Sequence, residues 1–373
     1  MHLSHLHRLR RGLVAAVVGL GLATQTPPRA QAAEEFLHYD AAPPQFIVIS
    51  FDNGRSVLKW RELTALSRHL TMSGAPVQFT FFFSAVNLLS YKDRKRYRPP
   101  RLARGRSNIG FGGTRTDVAN RIAAINAVMR DGHEFASHAV GHFQGGKRYR
   151  GSSCRGRAPG VLCGANWSRD AWRREHAAFE ALTRNAAANN QLDPRHPTAT
   201  APRVSITALR DMIGFRAPHL SVNRALFETL RERGFRYDAS WPRGAPPDAW
   251  PTKDAETGLW LYKLPRIRFV SPGGQPSRRL TLAMDYNFCA QQARRRGHDC
   301  ARPNRSSDVR DAFGKQMLAS YLAYFRANYT GNRAPMHIGH HFSDFQGGTY
   351  YRALVGFMKS VCGLSAVRCV TYR

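Results

Sequence analysis

Two runs, QFIVISF (45–51) and VQFTFFF (77–83), restrict the fold of this chain more than any other feature. Neither carries a charge, both are rich in β-branched and aromatic residues, and both read as buried strands. Between them VLKWRELTALSRHL (57–70) places its apolar residues at helical spacing. The alternation then recurs. A helix over 117–132, with Asp117 as N-cap and Gly132 as its stop, precedes a strand at HEFAS (133–137). A helix over 169–187 precedes IGFR (213–216), and a helix over 223–234 separates that strand from FRYDAS (235–240). LWLYKLP (259–265) and LTLAMDY (280–286) offer further strands; a helix over 308–329, strand PMHIGHH (335–341), a helix over 350–363 and strand VRCVTY (367–372) complete the order. Such alternation predicts an α/β fold: a parallel sheet covered by helices, closed or nearly closed into a barrel, in one domain. Chemistry in such folds gathers at the carboxyl ends of the strands.

At 43% hydrophobic residues the chain has ample material for a core. Its beginning reads as an export signal: basic HRLRR (7–11), apolar GLVAAVVGLGLA (12–23), too short to span a bilayer comfortably, and small residues at AQA (30–32). The expected organisation is a leader over 1–32 and one domain over 33–373, with no membrane span after cleavage and a secreted or periplasmic, monomeric product. Six cysteines fit an oxidising compartment, and sequence-local pairing is the simplest reading: Cys154–Cys163, Cys289–Cys300 and Cys362–Cys369. The net charge is +31 and the four leader arginines account for little of it. The arginines are scattered, and no aromatic-plus-basic RNA motif accompanies them. Nucleic acid is therefore not the expected partner; anionic envelope polymers are.

Five strand ends carry reactive residues: Asp52 and Asn53; His138 and His142; Arg216; Asp238 with Trp241; and His340 with His341. If residues 138–142 form a helical turn, the two imidazoles lie on one face and can share a divalent ion. An HxxxH spacing alone is a weak sign. An Asp-Asn pair at another strand end strengthens it. His133 and His337 read as structural residues, Asp285 as a capping residue or a sugar contact beside Tyr286.

In order, SFDNG (50–54), HAVGH (138–142), RAPHL (216–220), YDASW (237–241) and NRAPMHIGHHFSDF (332–345) resemble the five motifs of the polysaccharide deacetylase family, the NodB-homology domain of carbohydrate esterase family 4. The wording is closest to its chitin-deacetylase-like branch. The resemblance spans 45–372 and implies a distorted (β/α) barrel that hydrolyses N-acetyl, or O-acetyl, groups of a glycan such as peptidoglycan or a chitin-like polymer. It implies a divalent metal, zinc foremost, with cobalt, nickel or manganese as alternatives, held by His138, His142 and Asn53. It implies Asp52 as general base, Arg216 as its partner, His341 as general acid with His340 as runner-up, the His219 backbone N–H as an oxyanion donor, and Trp241 as a pocket wall. Asp238 would orient the acid or shape the pocket. Asn53 departs from the family's usual aspartate and weakens the expected metal grip. The alternative is a non-catalytic glycan-binding module with a degenerate metal site. The arginine-rich loops at 90–116, 143–166 and 289–310 are expected to rim the cleft.

Overall fold

Strand β1 (Gln45–Asn53) is the organising element. Its alternate side chains divide cleanly: Ile47, Ile49 and Phe51 belong to the large core beneath the helices, whereas Val48 belongs to a second, smaller core. That strict division is why the run has almost no polar residue until Ser50 and Asp52, both of which lie on the Val48 side. The computed structural model describes residues 43–146, 166–192, 212–241, 245–293 and 299–373, of which 44–373 form one unit. The leader and the Cys154–Cys163 pair lie outside the described residues.

Helix α1 (Val57–Met72) starts where the Ser56 side chain accepts the Lys59 N–H, and it buries Trp60, Leu63, Ser67 and Leu70 at helical spacing. The Trp60 Nε1–H donates to the Gly54 carbonyl at 2.9 Å, fixing the turn that follows Asp52 and Asn53. Gly54 is required there: its φ is +85°, and a Cβ would meet Phe83 at 2.5 Å. Strand β2 is Thr80–Phe83, helix α2 Arg115–Arg130 and strand β3 Glu134–Ser137. The N-cap of α2 is Thr114 and not Asp117; Asp117 is the third helical residue, and the two close a capping box. After helix α3 (Arg169–Arg184) come β4 (Gly214–Phe215), helix α4 (Arg224–Glu232), β5 (Tyr237–Asp238), β6 (Thr252–Lys253) and β7 (Trp260–Leu261).

The main sheet runs in the order β10-β1-β2-β3-β4-β5-β7-β6, parallel except at β6–β7, with β10 at Met336–His341. Strand β11 (Val367–Val370) pairs with the lower half of β1, below the point where β2 takes over. The path is open-ended, a distorted barrel. Strands β8 (Arg266–Val270) and β9 (Pro276–Leu282) form a separate antiparallel hairpin. The run read as one strand over 280–286 is therefore divided: its first part ends β9, and Asp285 opens helix α5 (Asp285–Gln292). A single bridge from Met284 to Gly339 ties this junction to β10. The long helix α6 (Ser307–Thr330) packs on the hairpin and on α7 (Phe345–Val361), whose regular turns follow three left-handed residues at 346–348. Disulfides join Cys289 to Cys300 and Cys362 to Cys369. Among the described residues no helix is long and apolar enough to cross a membrane.

The inward faces of the strands fill the barrel in layers. Low in the bore, Glu134 accepts hydrogen bonds from Thr80 Oγ1 (2.8 Å), Tyr237 Oη (2.8 Å) and the Tyr372 N–H (3.1 Å). Burial pushes the Glu134 carboxyl up, and these donors oppose the rise. Above this layer lies Arg216, and above Arg216 the mouth.

Candidate active site

Arg216, one residue beyond β4, is fully buried, and every arm of its guanidinium is engaged. Nε donates to the Ala239 carbonyl at 3.0 Å; Nη1 donates to Ser50 Oγ at 2.9 Å and Asp52 Oδ1 at 2.8 Å; Nη2 donates to Tyr372 Oη at 3.1 Å. Its plane lies over the Phe82 ring, 4.1 Å from the centroid. Burial opposes the charge, but Asp52 and the surrounding hydroxyls outweigh it and raise the pKa. Asp52 is itself 2% exposed, so the two ions are isolated from water together and each needs the other.

His138 and His142 do come together, with ring centroids 5.1 Å apart. The means differs from the helical turn expected. Residues 138–142 form an irregular loop, reversed by left-handed backbone at Ala139 (φ 56°) and His142 (φ 58°). The loop is held from behind: on α3 the fully buried Glu175 accepts the N–H groups of Val140 (2.9 Å) and Gly141 (3.4 Å) at Oε1, while its Oε2 accepts from Tyr97 Oη (2.7 Å). Burial pushes the Glu175 carboxyl up to about 7. His138 Nδ1 lies 2.7 Å from the Arg216 carbonyl. That contact puts its proton on Nδ1 and leaves the Nε2 lone pair for a ligand. Burial lowers the pKa of both rings, His138 to about 4, so both are neutral donors at neutral pH.

The donor set suits a divalent ion that favours imidazole, though only thinly. Among the described residues no three His, Cys, Asp or Glu side chains are arranged to hold a metal. The third donor would be Asn53, at the end of β1 with φ 93°, and its Oδ1 already accepts from Asn87 Nδ2 at 2.8 Å. An amide oxygen retains a second lone pair, so the bond from Asn87 leaves Asn53 an uncharged donor.

The register of β1 and β10 sets Asp52 directly beside His341. His341 is 23% exposed at the mouth; its Nδ1–H donates to Asp285 Oδ1 at 2.7 Å, and its backbone N–H donates to Asp285 Oδ2 at 2.9 Å. Burial works to lower its pKa, but the charge of Asp285, their hydrogen bond and Asp52 raise it. Asp285 is buried and held below the usual range, burial being outweighed by His341 and His340. Sequence reasoning missed this partnership. A strand ending at Tyr286 hid the fact that Asp285 begins a helix; Asp followed by a helical run was the available signal. Asp238 does not orient the acid. Its carboxylate accepts from Ser240 Oγ (2.7 Å) and the Ser240 N–H (3.0 Å), and Ser240 Oγ accepts from the Ala217 N–H (2.7 Å). Asp238 thus shapes the turn after Arg216, and burial raises its pKa to about 6.

His340 also comes near Asp285, its Nδ1 3.7 Å from Oδ2, but from the buried side. It is 2% exposed, beside Phe51 and with Nε2 3.3 Å from Tyr321 Oη, which withdraws it from the mouth. His219 has a left-handed backbone (φ 56°), and its ring centroid lies 4.6 Å from that of His142. Trp241 is half-buried, with Lys263 Nζ 4.8 Å from its ring centroid. His133 is structural: its Nδ1 accepts the Phe79 N–H at 3.0 Å. His337 stacks on Tyr372 deep in the bore.

No protein-family model matches the sequence, and no curated protein does. Solved structures similar to the chain include a polysaccharide deacetylase from Mycobacterium smegmatis (15% identity, 89% of this chain and 91% of that one, TM-score 0.46). A family 4 carbohydrate esterase from Streptomyces lividans, in complex with acetate, is similar at 10% identity (86% and 88%, TM-score 0.35). A pseudoenzyme of the same esterase family from Bacillus anthracis is similar at 8% identity (89% and 65%, TM-score 0.40). With likenesses this remote, the chemistry has to be argued from the side chains themselves.

Proposed function

We propose that this chain is a metal-dependent deacetylase acting on N-acetylated, or O-acetylated, groups of an extracellular or envelope glycan. The reading rests on one observation: a buried Asp52–Arg216 ion pair and an Asp285–His341 pair at the mouth are brought side by side at neighbouring strand ends, within electrostatic reach of His138, whose ring adjoins that of His142. A pure binding surface has no use for a buried carboxylate clasped by an arginine beside a histidine clasped by a second carboxylate.

In this reading His138, His142 and Asn53 hold a divalent ion, zinc foremost. A bound ion of that kind supplies Lewis acidity for the acyl carbonyl and makes water more acidic. Asp52, oriented by its hydrogen bond from Arg216, accepts the proton of the attacking water. The new carbon–oxygen bond forms as the carbonyl π electrons move to oxygen, and the His219 N–H faces that oxyanion. Collapse breaks the carbon–nitrogen bond, and protonated His341 gives its Nε2 proton to the leaving amine. Asp285 holds the imidazolium in place through Nδ1. Trp241 walls the pocket, and Asp238 sets the turn that delivers residues 217–219. The reading includes a leader over 1–32, a catalytic domain over 33–373 of the chitin-deacetylase-like kind, and a monomeric product outside the cytoplasm; the leader-like start of the sequence and the two disulfides support the location.

The test is acetate release from N-acetylglucosamine hexamers with added Zn²⁺ or Co²⁺. Release is expected, with loss on chelation, recovery on adding metal back, and abolition in Asp52→Ala. Asn53, tied to Asn87, favours one rival: a glycan-binding module with an impaired metal site. Glycan binding without release across metals and acyl substrates would establish the rival.

A further inference from the structure

We infer that the loop over residues 91–113 is an anion-recognition surface that holds a carboxylate-bearing glycan strand against the mouth. The identity of the mouth rests on the reading above; the binding does not. Between residues 92 and 106 stand eight lysines and arginines and one acid, Asp93. That acid is buried, its two oxygens taken by Arg115 at 2.9 and 3.1 Å and by Ser90 Oγ at 2.6 Å. Seven of the eight cations are exposed, so the outer face of this loop presents one sign of charge.

The loop is fixed, and fixed to the site. Tyr97 is buried with its hydroxyl on Glu175, the carboxylate that also holds Val140 and Gly141. The Gly105 N–H donates to the Tyr97 carbonyl at 2.9 Å. The Asn108 N–H donates to the Gly141 carbonyl at 2.9 Å and Asn108 Nδ2 to the His142 carbonyl at 3.1 Å. Arg55, exposed two residues beyond Asn53, reaches Gly110. The cationic face therefore abuts the His138–His142 loop with little ordering entropy left to lose.

Single exposed ion pairs contribute little. A row of them matches a polymer that repeats one charge per sugar or disaccharide, and the attraction is strong and salt-sensitive in sum. A nucleic acid fits less well, because bases need exposed aromatic faces to stack on. Of the three aromatic residues in the loop, Tyr97 and Phe111 are buried; Tyr91 alone is exposed, and Arg94 lies over one face of its ring, 4.2 Å from the centroid, so the loop offers a base a single stacking face.

The experiment measures binding of the full chain to hyaluronan oligosaccharides, N-acetylglucosamine hexamers and single-stranded DNA by calorimetry at low and high salt. Hyaluronan should bind tightest and lose affinity with salt. The triple variant Arg98→Gln, Arg104→Gln, Arg106→Gln should weaken hyaluronan binding about tenfold and leave hexamer binding and hexamer turnover unchanged. The single variant Arg104→Glu provides the same direction with less surface altered. Equal hyaluronan affinity in the variants, hexamer binding as tight as hyaluronan, or DNA binding tighter than hyaluronan would each overturn the inference. Loop-dependent hyaluronan binding by a protein that releases no acetate would remove the catalytic reading and leave this one standing.

Discussion

At the scale of single residues, the Asp285–His341 pair decides when the acid holds its proton. Asp285 raises the His341 pKa, so protonated His341 persists to higher pH and activity falls as pH rises through the raised value. Asp285→Asn removes that support. The alkaline limb of the rate profile should move to lower pH, with kcat reduced about 100-fold and KM little changed, the folded state being checked by circular dichroism. The pair also contributes to stability. His341, raised in the fold, stabilises fully below its unfolded pKa of about 6.5 and stops doing so as pH rises through the folded value. Asp285, depressed in the fold, stabilises above its unfolded pKa of about 3.9 and stops doing so as pH falls through the folded value. Their joint contribution is therefore largest between those two unfolded values, and the wild-type advantage in melting temperature over Asp285→Asn should peak there. Asn53→Asp restores a charged donor while Asn87 Nδ2 stays in reach of the new carboxylate. Zinc affinity by competition with a chelating dye should rise at least about tenfold; an unchanged affinity would mean that position 53 takes no part in binding.

Among the elements, the loop at 138–142 depends on a carboxylate from a helix that joins in only later in the chain. Glu175→Ala would leave the Val140 and Gly141 N–H groups buried without an acceptor, at a cost of about 1–3 kcal/mol each. We expect zinc affinity to fall about 10–100-fold, with Glu175→Gln retaining part of it through its amide oxygen. Equal affinity in all three proteins would show that the loop holds its own shape. The elements legible in the sequence were those whose pattern is local: the helical spacing of apolar residues over 57–70 announces α1, and the apolar runs announce β1 and β2. The Asp52–Arg216 pairing followed from the motifs. What escaped was decided by distant chain. The left-handed residues Ala139 and His142 are imposed by Glu175 and by the packing around them, not by their own preferences. The β8–β9 hairpin escaped because alternating strands off the main sheet look, residue by residue, like strands within it.

For the molecule as a whole, residues 367–372 line the lower end of the barrel. Strand β11 fills in beside β1, the 362–369 disulfide fastens it, and Tyr372 rises into the interior to meet Arg216, Glu134 and His337. Tyr372→Phe would leave an arm of a buried guanidinium without an acceptor; we expect stability to drop by about 1–3 kcal/mol and kcat on the hexamer to fall with KM steady, read by denaturant titration and steady-state kinetics. The phenol of Tyr372 reaches Arg216 across 156 residues of chain. A nascent chain still short of that tyrosine, or a finished one nicked ahead of it, holds its base by an incomplete clasp. On the proposed mechanism, a cut ahead of Tyr372, far from the mouth, would loosen the hold on Asp52 from below.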